Sequence, residues 1–530
     1  MKAISVLFGG RLKEQAFIVS LPGSAGEKQD AFSLACKTAT GFPGSERTVL
    51  FGLEEVEYPS LIPGIEIIRK PSWTVGNLLN ELSLLSNGEY HLYYTWADCP
   101  LLDTAIAVSM AERHVKYAAE YSYADGWPYG FAPELLSPGT AGIIAKIMEN
   151  FTSESALSVE RDSIFACIQK DINSFDIETE ISPIDLRACR LYLAADSKAN
   201  LLLLEKLMNA GLKTAGHAER FLNETDADSK IELLRTLPAF YNIQVAAACP
   251  QSCSICPYPK SRDSSVSPND VMSKENFSLI LDKIVAFSGE AVVSLSLWGE
   301  LSLHPDKIEL IEMILSRPAL SLVIETSGIG WSKADLEHLA KKAALCPPVK
   351  NHILPSPLSW IVSLDAHDAG RYSEVRGNGY AEAYSCARTL LSLFPRDTYV
   401  QAVRIKGHED DIENFYRSWK SEGPDYGKHI IIQKYNDFAG MLEKLQASDL
   451  SPVKRRPCWH LKRDMNILIN GQVPFCREIS LIKGSGILGN AFDEDLSEIW
   501  DRGNSLYLEH CKFIYNGICE NCDEYYTYNF

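Results

Sequence analysis

Eight of the 14 cysteines fall into two groups, and grouped thiols are the side chains in this sequence with the most chemistry to offer. Cys249, Cys253 and Cys256 stand in a C-x3-C-x2-C spacing within Ala248-Cys249-Pro250-Gln251-Ser252-Cys253-Ser254-Ile255-Cys256. Three thiolates on one short loop can wrap one face of a [4Fe–4S] cube and leave its fourth iron open to another ligand. A zinc ion would take a fourth Cys or His, and none follows within the loop. Spacing alone leaves iron–sulfur, zinc and no metal all open. The second group is Cys458, Cys476, Cys511, Cys519 and Cys522. In a long chain without a secretion signal such groupings read as metal or catalytic sites rather than a disulfide framework. Cys36, Cys99, Cys167, Cys189, Cys346 and Cys386 stand alone in apolar or helical surroundings and read as small buried hydrophobes.

The elements that must position these thiols follow from hydrophobic periodicity. Up to about Gly211, the expected strands Ala3–Phe8, Thr48–Phe51, Ile65–Ile68 and His91–Thr95 alternate with helical stretches such as Ala31–Thr38, Val75–Leu85 and Leu201–Ala210. That alternation predicts an α/β sheet domain over 1–211. Residues 212–238 are polar, include Asn223-Glu224-Thr225-Asp226, and read as a connector with one helix over Lys230–Thr236. From 239 to 445 a second series predicts strands at Ile243–Ala248, Val292–Leu297, Ser321–Glu325, Trp360–Leu364, Tyr399–Val403 and His429–Gln433. Helical segments fill most of the gaps between them. Six βα units imply a parallel sheet curved into a partial barrel, whose chemistry belongs at the carboxyl ends of the strands. Residues 451–530 form a small Cys-rich region that needs a metal to hold its core. There, Ile467-Leu468-Ile469 and Val473-Pro474-Phe475 flank Asn470-Gly471, which predicts a β-hairpin.

The net charge of -18 argues against a general nucleic-acid binder, since phosphate contacts need a surplus of Lys and Arg. No apolar run reaches the length of a membrane span and no targeting segment stands out, so a cytoplasmic protein is expected.

The C-x3-C-x2-C loop after a first barrel strand resembles the signature of the radical S-adenosylmethionine (SAM) superfamily, with Ile255 where an aromatic is common. The resemblance implies that SAM chelates the open iron and is cleaved to methionine and a 5′-deoxyadenosyl radical, which abstracts a substrate hydrogen. It also implies a low-potential electron donor such as flavodoxin or ferredoxin. Trp298-Gly299-Glu300 resembles the Gly-Gly-Glu motif, so Gly299 would let the backbone approach SAM and Glu300 would accept from its ammonium. Leu301 stands where a Pro is usual. Glu325-Thr326-Ser327-Gly328 resembles Thr-Asn-Gly, and Ser363-Leu364-Asp365 with Arg376-Gly377 resembles a Ser-Leu-Asp…Arg-Gly stretch. Ser327 and Ser363 are candidate contacts to the SAM ribose or carboxylate. Asp365 and Arg376 could equally form a structural ion pair, Arg404 could face the pocket or solvent, and His304 reads as structural.

Cys458 and Cys476 in the pattern C-x12-G-x4-C resemble the start of a SPASM domain, which carries auxiliary iron–sulfur clusters. Cys519 and Cys522 would complete four ligands. The sequence closes on Asp523-Glu524-Tyr525-Tyr526-Thr527-Tyr528-Asn529-Phe530 without another cysteine, which resembles the shortened, single-cluster twitch version. Cys511 is then a spare thiol or a replacement for one ligand, and a four-Cys zinc site has the same spacing.

In the first domain, Trp96-Ala97-Asp98-Cys99-Pro100 resembles a strand end of GT-A-like nucleotidyltransferases. Asp98 and Asp196 stand at the two metal-binding positions, where paired carboxylates could hold Mg²⁺. The loop Gly9-Gly10-Arg11-Leu12-Lys13 lacks that family's spacing, so a degenerate, Rossmann-like domain is expected rather than an active one. The three-part order resembles the spiro-SPASM proteins. The leading expectation is a radical SAM enzyme acting on a peptide or a small polar, sugar- or nucleotide-linked molecule. The alternatives are nucleotidyl transfer by the first domain, or a zinc-stabilised, non-enzymatic binding module.

Overall fold

Ala3–Phe8 is buried along its whole length, as expected of a strand covered on both faces. In the computed structural model it forms β1, between β2 (Ser45–Leu53) and β4 (His91–Trp96), with parallel pairing on both sides. The structure describes all residues except 24–25, 184, 188–189, 219–234, 259, 348–353, 355, 424–425, 449–450, 453–454, 483–484 and 528–530. The reading of Cys189 as a buried hydrophobe and most of the helix expected over Lys230–Thr236 lie outside the described residues. The chain divides into two compact units, Met1–Leu233 and Leu234–Phe530.

In the first unit, β3 (Glu66–Lys70) pairs parallel with β2. Three further strands extend the sheet beyond β4: β5 (Tyr121–Asp125), β6 (Glu134–Leu136) and β7 (Ile177–Ile181), in the order β3-β2-β1-β4-β6-β5-β7. The sequence did not signal this half. β6 has three residues, too few for a period, and Ile-Glu-Thr-Glu-Ile of β7 carries few apolar groups. β6 runs antiparallel to both its neighbours, so the sheet is mixed. Helix α1 (Lys198–Asn209) is capped by Ser197, whose side chain accepts from Asn200 N; that cap sets Asp196 immediately before the helix.

Among the described residues the second unit has a seven-stranded parallel sheet, six of whose strands are β8 (Phe240–Ile243), β9 (Ala291–Ser294), β10 (Leu320–Thr326), β11 (Leu358–Ser363), β12 (Thr398–Arg404) and β13 (Ile430–Lys434). Helices Lys274–Ser288, Lys307–Leu315, Lys333–Ala344, Tyr380–Leu393 and Glu409–Ser421 lie between successive strands. This is the expected partial barrel, with a core that includes Val293, Ile324, Trp360 and Val362. Two expectations are corrected. The first strand is Phe240–Ile243 rather than Ile243–Ala248; the apolar run after it forms a loop tied by one bridge from Ala246 to Val271, so Cys249 is carried on that loop rather than directly on a strand end. The hairpin around Asn470-Gly471 is not formed as a ladder. The turn is present, with Leu468 N donating to Gln472 O at 2.8 Å, but its two arms join different sheets. β14 (Asp464–Ile467) adds to the barrel sheet, parallel to β8, whereas β15 (Gln472–Pro474) pairs antiparallel with β16 (Ile487–Asn490). Local turn chemistry was legible, and the long-range pairing was decided by the open edge of β8.

Candidate metal and cofactor site

A cavity of about 640 Å³ opens in the second unit, and the thiols of both groups line it: Cys249, Cys253 and Cys256, with Cys458, Cys476, Cys519 and Cys522. Gly299, Glu300, Ser327 and Ser363 line it as well. Cys511 is buried at the end of helix Asn504–Cys511 and is not among the described lining residues.

The loops that follow the strands interlock here. Gly299 has φ of 78°; a Cβ on it would meet Ala246 O at 2.0 Å and Ala248 O at 3.0 Å. Only glycine allows this approach, and it brings the Gly-Glu segment against the cysteine loop, where Glu300 N donates to Ala248 O at 2.8 Å. Glu300 is 5% exposed. Its Oε1 accepts from Thr326 Oγ1 at 2.7 Å and its Oε2 from Ser327 N at 2.8 Å. Desolvation raises its pKa, and these donors pull it back. Trp298 stacks on Tyr258, with centroids 5.8 Å apart, and donates from Nε1 to Ser480 Oγ at 2.7 Å.

Ser363 ends β11, and its Oγ donates to Glu325 Oε1 at 2.9 Å; Gln401 Nε2 from β12 donates to the same oxygen at 2.8 Å. Asp365 and Arg376 form an ion pair of 2.6 Å, and Arg376 Nη1 donates to Gln251 Oε1 at 2.8 Å. Gln251 in turn donates to Tyr372 OH at 2.6 Å. This chain steadies the cysteine loop from within; Gln251 stands between Cys249 and Cys253, at a position that carried no motif of its own. Arg404 is exposed. His304 is buried, with Nδ1 accepting from Asp306 N at 3.0 Å and Nε2 against Met272 O at 2.9 Å, a structural role.

Burial pushes every thiol in the cavity up: Cys249 and Cys458 to about 12, Cys256 to about 11. Such thiols ionise when a metal supplies the missing positive charge. Backbone N–H groups already point at the sulfurs, from Ile479 to Cys476 Sγ at 3.5 Å and from Glu524 to Cys522 Sγ at 3.4 Å. Among the described residues no three His, Cys, Asp or Glu side chains converge as one metal ion would require; the thiols are set around a larger space. His510 and Arg455 carried no motif in the sequence. Cys458 N donates to His510 Nδ1 at 3.3 Å, while Arg455 lies over the rings of Tyr515 and Tyr525 at 3.9 and 4.6 Å and holds the Cys519 carbonyl at 2.5 Å.

Residues 458–523 match SPASM, an iron–sulfur cluster-binding domain. An uncharacterized protein of Treponema pallidum (strain Nichols) is 37% identical over 375 residues, covering 69% of this chain and 98% of that one. Among solved structures the chain is similar to Streptococcus suis SuiB bound to precursor peptide SuiA, at 14% identity and a TM-score of 0.41 over 72% of this chain and 84% of that one. It is also similar to anSMEcpe with bound AdoMet, at 12% identity and 0.38 over 51% and 83%, and to BtrN in complex with AdoMet and 2-DOIA, at 15% and 0.34 over 54% and 94%.

The chain belongs to one family with that Treponema pallidum protein, and its residues 458–523 match the SPASM domain.

A SPASM domain binds an iron–sulfur cluster, and the donor set here fits such a group: buried thiols in two sets and backbone amides aimed at sulfur, with a glycine cradle beside a buried carboxylate in the same cavity. Among the described residues no helix is long and apolar enough to cross a membrane. In the first unit the sequence offered Mg²⁺ only as a possibility, beside an expected degenerate domain. Asp98 and Asp196 are brought together, but around the guanidinium of Arg161, and the pair does not fit a metal ion.

Proposed function

We propose that Cys249, Cys253 and Cys256 ligate the SAM-binding [4Fe–4S] cluster and that Cys458, Cys476, Cys519 and Cys522 ligate one auxiliary [4Fe–4S] cluster. A peptide segment or small polar molecule reacts in the space between them. The observation that carries this reading is a single cavity lined by both thiol sets. When bound, the cofactors supply reductive cleavage of SAM to methionine and a 5′-deoxyadenosyl radical that takes a hydrogen atom from the substrate. Gly299 lets the methionyl end lie against the backbone. Glu300, ionised against a ligand ammonium, accepts from it, and Ser327 and Ser363 hold the ribose or carboxylate by hydrogen bonds. The Arg376–Gln251–Tyr372 chain keeps Cys253 in register with its neighbours. Cys458, Cys476, Cys519 and Cys522 would hold an auxiliary cluster that would supply a substrate anchor or an electron acceptor, and a low-potential flavodoxin or ferredoxin would be the electron donor.

The test is anaerobic reconstitution with iron and sulfide, then SAM with a strong reductant, with 5′-deoxyadenosine measured beside a Cys253→Ala control. Product that vanishes in the control is the expected result. Zinc in place of iron and sulfide after anaerobic preparation would overturn the reading.

A further inference from the structure

We propose that Arg161 stands permanently in the place of a divalent cation between Asp98 and Asp196, so that the N-terminal unit works without a metal and does not activate a nucleoside triphosphate. Asp98 follows β4 and Asp196 precedes α1. Ala195 N donates to Asp98 O at 2.9 Å, which locks the two segments side by side. Asp98 is 1% and Asp196 4% exposed. Two ionised carboxylates this close and this buried require a positive charge between them.

The chain supplies that charge itself. Arg161 Nη1 and Nη2 donate to Asp98 Oδ1 and Oδ2 at 3.0 and 2.6 Å, a two-pronged contact, and Nη2 also donates to Asp196 Oδ2 at 3.1 Å. The remaining oxygen, Asp196 Oδ1, accepts from Asn200 Nδ2 at 2.8 Å. All four carboxylate oxygens are therefore engaged. A Mg²⁺ ion gathers oxygens at about 2.0–2.1 Å in an octahedron and keeps waters of its own. The surroundings of Arg161 suit a flat cation instead: the rings of Trp96, Tyr129 and Tyr192 lie 4.3, 5.2 and 5.6 Å from its guanidinium carbon, as cation–π contacts require.

A second observation comes from the loop after β1. A triphosphate site there would need a free basic residue, and Arg11 is not free. Its Nη1 donates to Val159 O at 3.1 Å and pairs with the carboxylate of Glu160. A Cβ on Gly10 would meet the Trp73 ring at 2.5 Å and Phe8 at 2.9 Å, so the loop is closed down on aromatic side chains. Three consecutive residues, Val159, Glu160 and Arg161, thus engage both the acidic pair and Arg11.

The experiment uses the full-length reconstituted chain. Mn²⁺ is titrated in and the free ion followed by its EPR signal, in wild type and Asp98→Asn. Pyrophosphate release from nucleoside triphosphates with Mg²⁺ is assayed alongside. The expected result is equal Mn²⁺ uptake by both chains, no pyrophosphate, and an Asp98→Asn melting temperature about 10 °C lower whether or not Mg²⁺ is present. One Mn²⁺ per chain taken up by wild type and lost in Asp98→Asn would overturn the proposal, as would magnesium-dependent pyrophosphate release. If Asp98→Asn does not fold, Asp196→Asn leaves Arg161 its two-pronged partner and serves as the comparator. Arg161→Gln should melt lower than wild type and gain a stabilising response to Mn²⁺; melting identical to wild type would also refute the assignment.

Discussion

Both units set buried acids beyond the carboxyl ends of parallel strands, and they differ in where the balancing charge comes from. In the N-terminal unit Asp98 and Asp196 close on Arg161, and the charge is settled within the chain. In the second unit Glu300 is equally buried, yet its partners are a hydroxyl and a backbone amide, which orient the carboxylate without neutralising it. Cys249, Cys458, Cys476 and Cys522 are likewise met by neutral backbone donors, while Arg376 acts on Cys253 and Cys256, Arg477 on Cys256 and Arg455 on Cys519. Burial of an acid therefore says little about function. A buried acid with a built-in cation is architecture, and one with neutral donors and an open cavity is prepared for a charged ligand.

The largest effect that separates the two units is expected from the thiols. Cys253→Ala should abolish 5′-deoxyadenosine formation and remove one cluster's worth of iron and sulfide, while Cys36→Ala, an isolated buried thiol of the first unit, should leave both intact. Next, Glu300→Gln keeps the shape but removes the charge, and should weaken SAM binding about 10–100-fold with little change in melting temperature. Retained SAM affinity would mean that the buried Glu300 charge, like that of Asp98, serves the fold alone. Asp98→Asn should do the reverse. Leaving Arg161 buried without its main partner costs about 3–5 kcal/mol of stability, read by denaturant unfolding, while 5′-deoxyadenosine per folded chain stays unchanged.

The smallest effect concerns pH. His114 is buried against Ser122 and Ser137, with ring nitrogens at 2.7 and 2.9 Å from their hydroxyls. Burial, with His91 adding to it, holds its pKa down to about 4. The unfolded chain, near 6.5, then binds more protons between about pH 6.5 and 4, so stability is full above this window and falls as pH drops through it. The loss approaches about 3 kcal/mol, and His114→Gln should flatten that part of the unfolding curve.

Much of the second unit was legible because its signals are local. The βα rhythm places five of the six barrel strands within a few residues of where they lie, and β10 and β11, buried along nearly their whole length, carry the apolar side chains of covered parallel strands. β8 was displaced because Gln244–Ala248 is as apolar as the strand itself, and periodicity cannot rank two adjacent apolar runs. In the first unit β5–β7 are too short or too polar to announce themselves.

The cysteine spacings, Gly299-Glu300 and the SPASM pattern were determined by the sequence alone, because cluster chemistry ties ligand type to spacing on a short loop. Only the tertiary structure decided that both thiol sets share one cavity, that β14 leaves the expected hairpin to extend the barrel sheet, and that Asp98 and Asp196 meet a guanidinium. Each depends on contacts between residues tens to hundreds of positions apart, such as Arg161 with Asp98 or β14 with β8. Spacing along the chain carries no record of which distant cation or open strand edge will arrive.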